Sequence, residues 1–242
     1  MDRDELVRYL DGYLRLGDFP QDPSLNGLQV EGKGRVGKVG AAVDAGEAIF
    51  RKALEAGVDF LLVHHGLFWG KPFPLVGHHR RRLDLLFRGG INLYAAHLPL
   101  DAHPEVGNNF VLARGLGLLG LEPWDVGAKG RFPGPTPLLQ VADRLGELTG
   151  VEPLVHQGGA DAVETVIVVS GSGTGLLPKV DADLFVTGEP KHAVFHETLE
   201  RGLNVLYAGH YATETFGVKA LAAHLQERFG LPWVFLDHPT GL

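Results

Sequence analysis

Three short segments of this chain hold side chains that bind cations or move protons: His64-His65-Gly66, His97-x-x-x-Asp101 and His210-x-x-x-Glu214. The first follows the apolar run FLLV. Two histidines at a strand exit, released by a glycine, need not keep the strict alternation of strand side chains. They could reach two neighbouring metals, one each. Pro99 separates His97 from Asp101, so that pair belongs to a loop leaving a strand rather than to a helix interior. Asp101 there could bridge two cations. Four residues span at most ~14 Å, so His210 and Glu214 could touch one cluster. Imidazoles and carboxylates without thiols form a mixed nitrogen and oxygen set. Such a set suits zinc, manganese, iron or nickel better than calcium.

Each feature also has an ordinary structural reading. His64 and His65 could be polar residues at a strand exit, each capped by backbone. Asp101 could be a turn or N-cap residue. Glu214 could complement a helix dipole, and His210 could sit at a core edge. His103 could support the ligands from behind, but reads better as a surface residue. Taken together, the segments favour a metal site. All three fall at the C-terminal ends of expected parallel strands, the usual ligand edge of α/β sheets. Twelve histidines in 242 residues support this, because histidine is the commonest neutral metal ligand.

The elements that must position these residues come from periodicity. Residues 1–17 carry a helical stripe of Leu6, Tyr9, Leu10 and Tyr13. A turn-rich stretch, DFPQDPSLNGLQVEG, follows. Strands are expected over 36–44, from Asp59 and from Gly90, with a helix over 45–56 burying Ala45, Ile49, Ala53 and Ala56. The order then repeats. Strands are expected over 163–171, 181–189 and 202–210, with helices over 190–201 and from about 214 to 228, and a last strand over 232–238. Ala193, Phe195, His196 and Leu199 are the inner candidates of the helix over 190–201. GINLYAAHLPLD and GLNVLYAGHYATE align with an offset of one residue, a sign of internal duplication. The sequence therefore implies two similar α/β lobes in one unit over 1–242. Lobe one covers about 1–120, a connecting segment about 121–160, and lobe two about 161–242. The Pro- and Gly-rich run over 129–140 reads as a linker or wandering edge segment.

Composition removes several functions. The absence of cysteine excludes disulfides, iron–sulfur clusters, thiolate zinc sites and thiol nucleophiles. None of the three serines, Ser24, Ser170 and Ser172, lies in a G-x-S-x-G elbow. A net charge of −7 argues against a nucleic-acid partner. No run approaches the ~20 apolar residues of a membrane span. The charged N-terminus does not resemble a signal peptide, so a cytoplasmic protein is expected. Few Cys, Met, Asn and Gln, with Arg exceeding Lys, lean toward a thermophilic source.

Other segments offer less specific chemistry. Ser170-Gly-Ser-Gly-Thr-Gly175 could cradle a phosphate but lacks the P-loop and dinucleotide spacings, and reads better as a tight turn after a strand. His78-His79-Arg80-Arg81-Arg82 reads as a solvated helix face, with an anion grip as the alternative. Trp69 and Phe73 read as packing or interface residues. Glu189 and His192, at a strand end of the second lobe, are candidates for proton transfer or for supporting the ligands, as is His97.

The segments NGLQV (26–30), HHGLFW (64–69), HLPLDAHPEVGNN (97–109), VSGSG (169–173), TGEPKH (187–192) and GHYATE (209–214) resemble the motifs of the NIF-three-like family, often labelled GTP cyclohydrolase I type 2 homologues. The resemblance runs in order along nearly the whole chain. It implies a fold of two similar lobes without the inserted middle domain of longer members. It implies a toroidal homohexamer and two divalent metal ions per chain held by His64, His65, Asp101, His210 and Glu214; the status of His97 stays open. It implies a small-molecule substrate, a nucleotide by the family label, and a metal-dependent hydrolase acting through a metal-activated water. The alternative is a metal chaperone, homeostasis factor or scaffold without turnover.

Overall fold

A computed structural model describes residues 1–242. Helix α1 (Arg3–Tyr13) buries Leu6 and Leu10, and the Asp2 side chain caps it by accepting from the amides of Asp4 and Glu5. There follow β1 (Gly27–Val30), β2 (Val39–Asp44), α2 (Glu47–Glu55), β3 (Phe60–His65), α3 (Gly77–Gly89) and β4 (Asn92–Ala95). Then come α4 (Leu98–Ala102), α5 (Asn108–Leu116), β5 (Leu119–Trp124), β6 (Gly127–Pro137), α6 (Leu138–Thr149), β7 (Leu154–His156) and β8 (Ala162–Val168). The chain ends with β9 (Leu184–Thr187), α7 (Phe195–Glu200), β10 (Asn204–Tyr207), α8 (His210–Thr213), α9 (Thr215–Phe229) and β11 (Trp233–Phe235). No helix is long and apolar enough to cross a membrane.

The chain forms two compact units, one of Met1–Leu100 with Val218–His238, the other of Asp101–Gly217 with Pro239–Leu242. The first contains a sheet of order β1-β4-β3-β2-β11. Its β2, β3, β4 and β11 run parallel, and β1 is antiparallel to β4. Strands β2 and β3 are almost wholly buried, as apolar runs covered on both faces must be. Ile49, Phe50 and Ala53 of α2 and Leu85 and Leu86 of α3 pack on Leu61, Val63 and Leu93. The second unit has the order β5-β6-β8-β9-β10-β7, with β8, β9 and β10 parallel. Here Val141 and Leu145 of α6 and Leu112 and Leu116 of α5 cover Val166, Val168, Val186 and Leu206.

The internal repeat is plain in each unit. A helix, an antiparallel edge strand and three parallel strands recur as α1-β1-β2-β3-β4 and as α6-β7-β8-β9-β10. The first edge strand pairs with the third parallel strand in both cases, β1 with β4 and β7 with β10.

Four readings from sequence differ from this arrangement. The run over 129–140 is not a linker: it forms most of β6, paired with β5 and β8. Its ladder with β8 breaks between Arg131 and Thr136, where two prolines that cannot donate and a glycine bulge out. So 121–160 builds the second sheet rather than connecting two lobes. The closing strand does not finish the second lobe: β11 pairs with β2, Trp233 facing Val39. The aromatic stacking of Tyr9 and Tyr13 on His224 ties α9 to α1 in the same unit. The turn-rich stretch before residue 31 contains β1, too short and only half-buried to show a period. Finally, Ala193, His196 and Leu199 are exposed and Phe195 only half-buried, while Thr198 is the buried residue of α7.

Candidate metal centre

The C-terminal end of β3 presents His64 and His65, and the chain leaving β4 presents His97. One ring nitrogen from each lies within 4.8 Å of the others. Each imidazole is oriented by an oxygen on its other nitrogen. His64 Nδ1 donates to the Ala96 carbonyl at 2.9 Å, His65 Nδ1 to Asp44 Oδ1 at 2.8 Å, and His97 Nδ1 to Asp22 Oδ1 at 2.8 Å. Carbonyl and carboxylate oxygens only accept, so each Nδ1 carries the proton and each Nε2 carries the lone pair. Metal-ligating histidines are held in this way, with the second nitrogen donated to a carboxylate or carbonyl. Trp69 walls the group, its ring centre 5.1 Å from that of His97 in an edge-on arrangement and 5.8 Å from that of His65, with Nε1 donating to the Gly66 carbonyl. Gly66 has no room for a Cβ, which would overlap the Gln29 side chain. Gln29 in turn accepts from the Leu67 amide.

The second unit assembles the carboxylates. Asp101 is buried, and its Oδ1 accepts from Asn108 Nδ2 at 2.9 Å and from Ser170 Oγ at 3.0 Å. Asn109 holds the Ser170 amide at 2.6 Å. Glu214, 3% exposed, lies beside His210, with Oε1 at 3.2 Å from Nε2. Glu189 accepts from His210 Nδ1. Burial pulls the His210 pKa down, but the hydrogen bonds and charges of Glu214 and Glu189 outweigh it and hold it at about 9. Two carboxylates against one imidazole favour a positive charge at this point, and a divalent cation supplies one. Gly171 lies against the pair at φ +60°, where an added Cβ would overlap Glu214 Oε1.

The structure thus brings His64, His65 and His97 together in one unit. In the other it gathers Asp101 with Ser170 and Asn108, and His210 with Glu189 and Glu214. Glu189 orients His210, and His192 is exposed on a short 3-10 turn, His192–Val194. His103 is not a surface residue: it is buried, and its Nδ1 caps the turn by accepting from the Glu105 and Val106 amides. The serine–glycine turn after β8 serves Asp101 and Glu214. The basic run forms the first turns of α3, where Arg81 pairs with Glu47 and Arg80 with Asp84, as a solvated face does. Phe73 packs on Phe68 and His79. Asp22, Asp44, Asn108 and Asn109 escaped sequence reasoning. Only their places, in an Asp-Pro-Ser turn, at a strand end and after the 97–105 loop, could have pointed to them.

Known proteins share this sequence and fold. A 50% identical protein of Deinococcus radiodurans, named GTP cyclohydrolase 1 type 2 homolog, aligns with 99% of this chain and 94% of its own length. The crystal structure of TTHA1606 from Thermus thermophilus is 86% identical, with a TM-score of 0.98 over the whole of both chains. Reduced HcgD from Methanocaldococcus jannaschii superposes at a TM-score of 0.85, with 28% identity over 98% of each chain. The family profile described as Duf34/NIF3 (NGG1p interacting factor 3) matches residues 1–240, and the chain belongs to that family.

Proposed function

We propose that this protein is a metal-dependent hydrolase of a small molecule, holding two divalent cations side by side with His64, His65, Asp101, His210 and Glu214. The observation that carries the reading is the shared orientation of His64, His65 and His97, each pinned at Nδ1 so that Nε2 offers its lone pair. Bound there, the cations would supply a water of lowered pKa and polarise the electrophilic centre of the substrate. Zinc, manganese, iron and nickel all suit the donor set. The chain's own residues set the geometry. Asp44 fixes the His65 ring, Glu189 fixes His210, and Ser170 and Asn108 fix Asp101. The curated relatives' name suggests a nucleotide such as GTP as substrate, and the family resemblance suggests a homohexamer.

A second reading, metal binding without turnover, is favoured by the use of the serine–glycine turn. Ser170 Oγ is committed to Asp101 and the Gly171 amide to Thr213, so this turn is not laid out as a phosphate cradle. One experiment separates the two. Protein of defined metal content is incubated with a panel of nucleotides and phosphodiesters. Metal-dependent product formation that disappears in His64→Ala supports the hydrolase. A metal-loaded protein inert across the panel supports the second reading. Light scattering tests the hexamer, and a monomer mass at micromolar concentration would remove it.

A further inference from the structure

Asp22 receives hydrogen bonds from four directions. Oδ1 accepts from the Ser24 amide at 2.9 Å and from His97 Nδ1 at 2.8 Å. Oδ2 accepts from Asn26 Nδ2 at 2.9 Å and from the Leu98 amide at 3.0 Å. The Asp22 side chain is 1% exposed, although its neighbours Gln21 and Pro23 are exposed. Every partner is a donor, so the position demands an acceptor-only group with two oxygens. An asparagine, whichever way its amide turned, would point N–H groups at other N–H groups. Asn26 completes the clip by accepting the His97 amide at 2.7 Å. The carboxylate thus fixes the His97 ring and the start of α4 directly, and the His97 backbone through Asn26.

This arrangement exceeds what a turn needs. An Asx turn is satisfied by the Ser24 amide alone. The remaining bonds determine where the His97 ring points and which of its nitrogens carries the proton. One ring nitrogen of His97 lies within 4.8 Å of a ring nitrogen of His64 and of His65, with the rings 5.1 and 5.6 Å apart, and with Nδ1 given to Asp22 the nitrogen left to offer a lone pair is Nε2.

We infer that His97 is a third imidazole donor to the cation site, and that Asp22 is the positioning residue that presents it. The inference rests on the metal-binding part of the proposed function and adds a ligand that the family motifs leave unassigned. Asp22 touches neither cation nor substrate; it acts through His97. Loss of such an outer partner costs about 10–100-fold in metal affinity.

The test uses the full chain, zinc(II) and cobalt(II). In metal-free wild type, nitrogen-15 NMR of the histidine side chains should show His97 with its proton on Nδ1. This readout does not depend on metal binding, so it stands even if the protein proves to bind none. In Asp22→Asn the fixed tautomer should be lost, zinc affinity should fall about 10–100-fold, and the cobalt visible spectrum should change shape as one nitrogen donor leaves. A merely structural role would lower stability without altering the cobalt spectrum of the folded fraction. If Asp22→Asn does not fold, His97→Ala gives the same information, with an expected loss of zinc affinity and the same spectral change. Wild-type zinc affinity and an unchanged cobalt spectrum in His97→Ala would overturn the inference. So would a proton on His97 Nε2 in the metal-free wild type.

Discussion

Asn92 and Asn204 share two corresponding side-chain hydrogen bonds in two different sheets. Asn92 Oδ1 accepts from the Gly32 amide at 2.8 Å, and Nδ2 donates to the carbonyls of Lys33 and Asp59. Asn204 Oδ1 accepts from the Gly159 amide at 3.0 Å, and Nδ2 donates to the Ala160 carbonyl at 2.9 Å. Each opens the third parallel strand of its unit, two residues after a left-handed glycine, Gly90 or Gly202. Each ties that strand to the segment joining the antiparallel edge strand to the first parallel strand. The duplication therefore preserves side-chain chemistry as well as strand order. Both strands lead to the segments that carry His97 and His210.

Both asparagines are at most 1% exposed, and their removal leaves the amides and carbonyls they bond, in half-buried and exposed residues, without a side-chain partner. Each such group costs about 1–3 kcal/mol. Asn92→Ala and Asn204→Ala should each lower stability by about 2–4 kcal/mol on that basis. Denaturant unfolding checks this. A loss below about 0.5 kcal/mol in both, the range of ordinary surface changes, would show that the clip is incidental.

Asp59 and Asp183 directly precede β3 and β9, and their lowered carboxyl pKa values predict a stability that falls with acid. Burial pushes the Asp59 carboxyl up, but Lys33 and the Gly37 amide outweigh it and hold it low. Burial likewise opposes, and the Thr165 and Glu164 donors outweigh, for Asp183. With folded values below the unfolded ~3.9, the ionised forms favour the folded state. Their contribution is complete above the unfolded value and is lost as pH falls through the folded ones. Asp59→Asn and Asp183→Asn should be less stable than wild type at pH 7 and should lose less between pH 5 and pH 3. Urea midpoints across that range decide it; parallel curves for wild type and variants would refute the assignment.

The strand ends bearing histidine were legible because FLLVHH and GLNVLY are buried apolar runs bounded by glycine, a local pattern. The placement of β11 was not. Its residues read as a strand, but pairing with β2 joins Trp233 to Val39 across almost the whole chain. β6 was hidden because its bulge holds the same prolines and glycine that mark linkers elsewhere. Ligand candidates stood out by residue type. The groups that orient them did not, since Asp22 lies 75 residues from His97 and nothing local relates the two.

Gly171 is the point where backbone geometry meets the carboxylate chemistry. Its φ of +60° disfavours any side chain, and a Cβ would overlap Glu214. Left-handed backbone alone costs about 1–2 kcal/mol for a non-glycine residue. Gly171→Ala should therefore lower stability by at least that amount and displace Glu214, reducing bound metal. Thermal melts and elemental analysis of the same preparation report both. Full metal content with an unchanged melt would mean that the close approach is not required.

Asp101 and Glu214 give the sharpest test of the cation site. Both are buried carboxylates, and both are held in place by neutral or histidine partners: Asn108 and Ser170 for Asp101, His210 for Glu214. If they ligate and bridge, removing either leaves two cations without negative compensation, and their mutual repulsion expels one or both. Neither side chain belongs to the apolar cluster under α5 and α6, so the fold should persist. Elemental analysis of purified Asp101→Ala and Glu214→Ala beside wild type should show metal content reduced by one or both ions per chain. Glu214→Gln keeps the shape and removes the charge, so a matching loss there assigns the effect to charge rather than to packing. His238→Ala, at an exposed position outside the donor set, should retain the wild-type content. Unchanged stoichiometry in both alanine variants would place the cations elsewhere and remove these two carboxylates from the site.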